Sequence, residues 1–330
     1  MNTTRFLVTG ATGFIGSHFT ELVLTQGCEA VCPVRNLSEL RNLKGIPAKI
    51  IRVADLERET RDGPGFDYVI HLAGATRAPD YDGYRVANVE LTRRLLELFA
   101  LKRSDRPLKR FVLVSSQAAA GPSRDNVTPV KESDTPLPVS QYGRSKLEGE
   151  KVALEYLDRI PVTVVRPPAV FGPRDTDFLG IFRSALFRLE VFPAGPDRLV
   201  SIIYVEDLAR GILAAGQSEQ SVGQTYFLAN PEWVVWREFC LKVARLMGKP
   251  AVAVPIPNPI MKMVALAGDL VTAVTGKLPL IRSDKLEEIK QIAWICDTGK
   301  ARTELDWSPE FTIDRAIVKT AQWYKENRWI

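Results

Sequence analysis

The stretch VTGATGFIGSH, Val8 to His18, decides how the rest of the chain is read. Apolar RFLVT (5–9) precedes it as a short strand, and a helical pattern follows it to about residue 26. Between the two, Gly10, Gly13 and Gly16 recur every third residue, with Thr12, Phe14 and Ile15 in the gaps. The first glycine permits a tight turn, the second brings backbone close to a pyrophosphate, and the third lets the helix approach the sheet. An anion at a helix N-terminus meets free N–H groups and the positive end of the helix dipole. Strand, glycine turn and helix in that order point to dinucleotide binding.

Working outward, AVCPV (30–34), KIIRVA (49–54), FDYVIHLAG (66–74), KRFVLVSS (109–116) and PVTVVRP (161–167) read as strands. Residues 82–101 and 140–157 carry apolar positions at helical spacing. Strands alternating with helices predict an α/β fold, a doubly wound parallel sheet covered on both faces. A strand and helix in LVSIIYVEDLARGILAA (199–215) are expected to rejoin that sheet. The pattern loosens after residue 167, and most of residues 231–330 reads as a mostly helical lobe across the strand ends, where ligands bind in such folds. The expected division is therefore a dinucleotide-binding domain of residues 1–166 plus about 199–228, and a substrate-binding lobe of 167–198 plus 229–330.

Composition narrows the function classes. The 330 residues are 45% hydrophobic and 25% charged, ordinary for a soluble globular protein. Net charge is +5, and the basic stretch LKRSDRPLKR (101–110) is interrupted by Asp105. With no nucleic-acid motif beside it, it reads as a solvated surface, and no nucleic-acid partner is expected. Four cysteines without zinc or redox spacing suggest a reducing compartment. Two histidines, His18 and His71, argue against a Ser-His-Asp hydrolase and leave no metal site to expect. The chain enters its first strand without a signal peptide, and the apolar segment 257–276 carries Lys262 and Asp269 and is short for a bilayer. The expectation is a cytoplasmic protein without an integral membrane span.

Several residues extend the dinucleotide reading. An acidic residue usually ends the second strand where NAD is bound, gripping the ribose 2′-hydroxyl. Here CPVRN places Arg35 in that region, 19 residues beyond Gly16. A guanidinium suits a 2′-phosphate, so NADP(H) is favoured over NAD(H); the alternative is a surface arginine stacked on adenine. Asp55 and Leu56 are expected at the end of the third strand, facing the adenine edge, and Leu72, Ala73 and Gly74 where the cofactor passes the fourth. In QYGRSK (141–146), Tyr142 and Lys146 are four residues apart and share one helix face.

TGATGFIG, HLAG, FVLVSS, YGRSK, RPPAVFGP and YVEDLA occur in the order seen in the extended short-chain dehydrogenases/reductases, the NAD-dependent epimerase/dehydratase family, which the chain resembles to about residue 228 and again near its C-terminus. The resemblance implies a Rossmann-type fold. It assigns Tyr142 as acid/base, Lys146 as its partner, and Ser116 as the hydroxyl that binds the reacting oxygen. It also implies that Ser115 lies along the cofactor, Asn88 behind the site, and Arg166, Pro167 and Val170 in the loop passing the nicotinamide. Tyr204 and Asp207 match a motif read as structural. A free tyrosine has a pKa near 10, and an adjacent ammonium, helped by the positive ring of an oxidised nicotinamide, is expected to lower it.

Gln117 and Ala118 stand where sugar dehydratases of the family carry an acidic pair, which disfavours dehydration. VRNLSEL (34–40) and the apolar lobe look like dihydroflavonol-reductase-like and 3β-hydroxysteroid-dehydrogenase-like members. Met261, Met263, Val264, Leu266 and Leu270 would line a pocket, form a lid, or only pack the lobe. Arg174 and Arg198 would hold a diphosphate or face solvent. The expected activity is NADP-preferring oxidoreduction of a ketone or secondary alcohol in a moderately apolar small molecule, the alternative a nucleotide-sugar 4-epimerase or 4-reductase. Members of the family dimerise through the two long helices, so a homodimer is implied.

Overall fold

The computed structural model describes residues 3–101 and 106–330; Lys102, Arg103 and Asp105 of the basic stretch lie outside the described residues. Six strands take the places expected for them: β1 (Arg5–Thr9), β2 (Glu29–Val34), β3 (Lys49–Arg52), β4 (Tyr68–His71), β5 (Arg110–Val114) and β6 (Val162–Arg166). With Thr225–Phe227 they form one sheet in the order Thr225–Phe227, β6, β5, β4, β1, β2, β3. Every pairing in it is parallel.

The strands are apolar throughout because both faces are covered. Phe6 and Val8 of β1, Tyr68 and Ile70 of β4, and Val112 and Val114 of β5 point into one core, against helix α1 (Phe14–Thr25) and helix Val205–Gln217. Their neighbours Leu7, Val69, Phe111 and Leu113 point into the opposite core, against Leu95, Leu96, Val152 and Ala153. Those last four lie on helices Leu91–Ala100 and Gln141–Leu154, the two long helical patterns of the sequence. The first is preceded by Tyr81–Arg85 and one wide π-type turn, Val86–Glu90, a feature that often marks functional positions.

The strand expected to rejoin the main sheet does not. Ile202–Tyr204 pairs with Ala169–Phe171 in a separate two-stranded element, while the helix after it does cover the sheet. The seventh sheet position goes to Thr225–Phe227, hydrogen-bonded along β6. Ala301, Leu305 and Trp307, assigned from sequence to the lobe, also pack in the core beneath the sheet. The lobe has its own aromatic core, with Phe171, Phe178, Phe182, Tyr204, Phe239, Phe311 and Tyr324 buried together. All four cysteines are free, and no helix among the described residues is long and apolar enough to cross a membrane.

Candidate active site

Strand order reverses between β1 and β4, and the crevice there opens at their C-terminal ends. Gly10, the residue after β1, has φ +72° and lies so close under the chain leaving β4 that a Cβ would sit 2.7 Å from Ala73 N. A Cβ on Gly16 would come within 2.2 Å of the Gly10 carbonyl oxygen, so helix α1 starts in contact with the turn. Gly13 caps α1 without a side chain, and the first turn has no acidic residue. Its leading N–H groups are therefore left for an anion. The turn is braced by Asn42, whose Nδ2 donates to the Thr12 carbonyl at 3.0 Å. Phe14 and Ile15 pack against the lobe core. The cradle fits a dinucleotide pyrophosphate by shape and by charge.

Arg35 is the first residue beyond β2, exposed, and has no carboxylate partner among the described residues. Asp55 and Leu56 sit differently from expectation. β3 ends at Arg52, a 3-10 turn Val53–Asp55 intervenes, Asp55 pairs with Arg58 at 3.1 Å, and Leu56 packs on the core. Leu72 and Ala73 cover Gly10, and Gly74 faces Asn88 and Lys146: a Cβ there would be 2.6 Å from Asn88 Oδ1 and 3.9 Å from Lys146 Nζ. Buried Asn88 ties the segment down, accepting from Ala75 N at 2.8 Å and donating to Ala75 O at 3.0 Å and Ser145 Oγ at 2.8 Å. His71 is structural: it lies between Thr9 Oγ1 and Thr92 Oγ1, and burial drops its pKa to about 3. His18 contacts the Pro173 carbonyl at 2.8 Å and, buried, falls to about 4.

Ser116, Tyr142 and Lys146 converge. Ser116 caps the short helix Gln117–Ala120 just past β5, accepting from Ala118 N at 3.1 Å. Ser140 caps helix Gln141–Leu154, accepting from Gly143 N at 3.0 Å. That places Tyr142 in the helix's first turn, with its hydroxyl beside Ser116. One turn on, Lys146 Nζ donates to the Val114 carbonyl at 2.8 Å, at the end of β5. The electrostatics depart from the expectation of a phenol made acidic by Lys146. Burial dominates at Tyr142 and pushes the phenol well above its ordinary value; the Ser116 hydroxyl beside it opposes this, while Glu288, Tyr84 and Asp177 add to it. Burial also lowers the Lys146 ammonium to about 8, against the pull of Glu150.

Glu150, unnoticed in the sequence, completes the row Tyr142, Lys146, Glu150 at intervals of four. Its carboxylate accepts from Ser115 and from Arg166 Nε at 3.0 Å and Nη2 at 2.6 Å. Ser115 and Arg166 therefore brace the helix. Pro167 is buried, its carbonyl accepting from Gln117 N at 2.8 Å, and half-buried Val170 lies on the Ala169–Phe171 strand. Tyr204 donates to Glu206 at 3.0 Å, and buried Asp207 accepts from Glu310 N at 2.7 Å, both structural contacts. Neither diphosphate candidate is free of partners. Arg174 pairs with Glu21 at 2.9 Å beside α1, and Arg198 donates to the carbonyls of Ile289 at 2.9 Å and Pro193 at 3.1 Å.

The lobe docks directly on this site. Asp284 accepts from Gln141 N at 2.8 Å, and Glu288 accepts from Ser140 Oγ at 2.6 Å. Both belong to helix Ser283–Ile289. Arg282 donates to the carbonyls of Ala78 and Pro79, the latter at 2.8 Å, and Arg77 pairs with Asp177 across the two parts of the chain.

Residues 6–229 match the model of the NAD dependent epimerase/dehydratase family. A ceramide reductase of Caulobacter vibrioides is 26% identical over 328 residues, 98% of this chain and 95% of that one. A UDP-glucose 4-epimerase of Vibrio cholerae is 25% identical over 331 residues, 96% of this chain and 94% of that one. The fold is shared with the UDP-glucuronic acid 4-epimerase from Bacillus cereus, solved in complex with UDP-glucuronic acid and NAD: TM-score 0.77, 22% identity, 98% of this chain and 100% of that one.

Proposed function

Because the chain belongs to the NAD dependent epimerase/dehydratase family, we propose that this enzyme is an oxidoreductase moving hydride between NADP(H), in preference to NAD(H), and a ketone or secondary alcohol of a moderately apolar small molecule. The observation that carries this is the convergence of Ser116, Tyr142 and Lys146 beside a glycine cradle at the β1/β4 crevice. The cradle from Gly10 to Gly16, Arg35, Leu72 to Gly74 and Lys146 would hold the dinucleotide, which when bound supplies hydride transfer. Arg35 supports the preference for NADP, being a guanidinium without a carboxylate partner among the described residues, where NAD sites carry a carboxylate.

The chain's own part is proton transfer and positioning. Ser116 and Tyr142, lying side by side, present two hydroxyls to one substrate oxygen. With its pKa held high by burial, Tyr142 is protonated at neutral pH and donates to an oxygen that gains negative charge as a ketone is reduced. Lys146, anchored on Val114 O, keeps positive charge beneath the crevice. Exposed Val86 and Leu91 on the first long helix support a homodimer through that face.

The second reading, a nucleotide-sugar 4-epimerase or 4-reductase, is favoured by Arg198. It is a half-buried cation with no carboxylate partner among the described residues, its pKa lowered by burial. The test is NADPH oxidation by the purified protein with hydrophobic ketones and with UDP-sugars, alongside Tyr142→Phe. Ketone-dependent turnover lost in Tyr142→Phe, with NADPH affinity retained, is the expected result. Sugar-nucleotide turnover with tightly held NAD would replace the first reading by the second, and full activity in Tyr142→Phe would remove the site assignment.

A further inference from the structure

Helix Asn258–Thr275 is apolar on the side it turns away from the protein. It docks through Met261, Ala265, Gly268 and Thr272, which are buried. A Cβ on Gly268 would lie 2.3 Å from the Ile281 carbonyl, so this contact is a close one between backbones. Opposite it, Met263, Leu266, Leu270 and Val274 are between 64% and 76% exposed, flanked by exposed Ile260, Val264 and Val271. At 100° per residue these side chains, with Ala267 between them, cover about 160° of the helix without a polar group. Strand Val252–Ile256, which leads into the helix, continues the pattern. It pairs in parallel with Leu189–Pro193, and Val252, Val254, Leu189 and Val191 are all exposed on one face beside Phe187.

We propose that this face lies on an anionic lipid bilayer, with the helix in the plane of the headgroup boundary. Width argues first. A seam between two helices needs a narrow stripe, whereas half a cylinder of exposed apolar side chains matches a fluid apolar phase. Charge is complementary to anionic headgroups: Lys249, Lys262, Lys277 and Arg282 stand against Asp269 alone in residues 249–282, a net of +3 from four cations and one acid. Asp269 is itself paired with Arg282 at 3.1 Å. A second copy joined through the two long helices would use a different surface and leave this one open. The face is also mechanically close to the chemistry. Met261 and Ala265 pack on Leu286 of the helix that holds Ser140 and Gln141 at the start of the Tyr142 helix.

The proposal makes no assumption about substrate, because vesicle binding is read without turnover and fails or holds independently of the oxidoreductase reading. The full chain is floated with vesicles of phosphatidylcholine and phosphatidylglycerol at 70:30, and with phosphatidylcholine alone. The expected result is recovery with the anionic vesicles, falling at least tenfold in the double substitution Met263→Glu/Leu270→Glu, whose circular dichroism and NADPH affinity stay those of the wild type. Lys262→Glu/Lys277→Glu, which leaves the apolar face intact, is expected to lose most binding and its salt dependence. Wild-type protein that remains in solution with both vesicles overturns the proposal. So does flotation of both variants equal to wild type, or light scattering that shows a wild-type dimer converted to monomer by Met263→Glu/Leu270→Glu.

Discussion

Replacing Glu150 by glutamine keeps the side chain's size and removes one buried charge, which isolates the ion pair behind the site. Arg166 and Glu150 expose only 5% and 3% of their side chains and meet through two hydrogen bonds, and Arg166 Nη1 has no hydrogen-bond partner. In Glu150→Gln the amide oxygen can accept one guanidinium N–H, while the amide N–H groups face a donor. The guanidinium is then buried without a counter-charge, which costs about 3–5 kcal/mol. A chain of 330 residues unfolds with an entropy of about 0.7 kcal/mol/K, so Tm should fall by about 4–7 °C. Calorimetry and urea titration read both numbers. The charge-free pair Glu150→Leu/Arg166→Met should recover most of the loss, because well-packed apolar side chains replace buried ion pairs at little cost. A loss under about 1 kcal/mol in Glu150→Gln, or a double variant no more stable than the single one, would refute the reasoning.

Lys146 predicts the alkaline side of the pH profile. Its ammonium, lowered to about 8 by burial, should be lost as pH rises through 8, taking kcat/KM down with a slope of one. Because the folded pKa lies below the unfolded value of 10.5, the unfolded chain binds the proton more tightly between those values. Holding the ammonium in the fold therefore costs stability below pH 8, and that cost is relieved as pH climbs toward 10.5; a flat activity profile to pH 10 would contradict the assignment. Arg35→Asp should lower the NADP-to-NAD ratio of kcat/KM about 10- to 100-fold, the worth of one charge-assisted hydrogen bond, and an unchanged ratio rejects the cofactor preference. Asn88→Ala should cost about 1–3 kcal/mol, since it strands buried Ser145 and the half-buried backbone of Ala75; a melting curve that does not move shows the clamp to be idle.

How far the sequence could be read follows from which interactions are local. The glycine turn, the alternating strands and the Tyr142–Lys146 spacing were legible because each lies within one strand, one turn or one helix face. Ile202–Tyr204 was misplaced because a short apolar strand records that it is buried without recording its partner, and its partner Ala169–Phe171 lies 31 to 35 residues away. Glu150 was legible in principle, at the next interval of four after Lys146. In the sequence, though, Glu150 stands between charged Glu148 and Lys151 with nothing to mark it as inward-facing, and only the fold shows that it points to Arg166. The phenol's electrostatics within the chain are not legible for a related reason. Spacing brought an ammonium near Tyr142 but did not say that Lys146 would be held by the Val114 carbonyl, or that burial would outweigh it.

Helix Asn258–Thr275 shows the limit of hydrophobic patterning most sharply, and it bears on the membrane-facing surface. Patterning assumes that large apolar residues turn inward. Here the buried stripe is built mainly from small residues, Ala265, Gly268 and Thr272, because the Ile281 backbone passes within contact of Gly268 and leaves no room for more. The large residues are displaced to the outside as a consequence of that close packing. A leucine at Gly268 would force the helix off its support, whereas a glutamate at Met263 or Leu270 meets only solvent. Substitutions on the outer face therefore separate lipid binding from folding, and a helix packed by its small side is what makes the two separable.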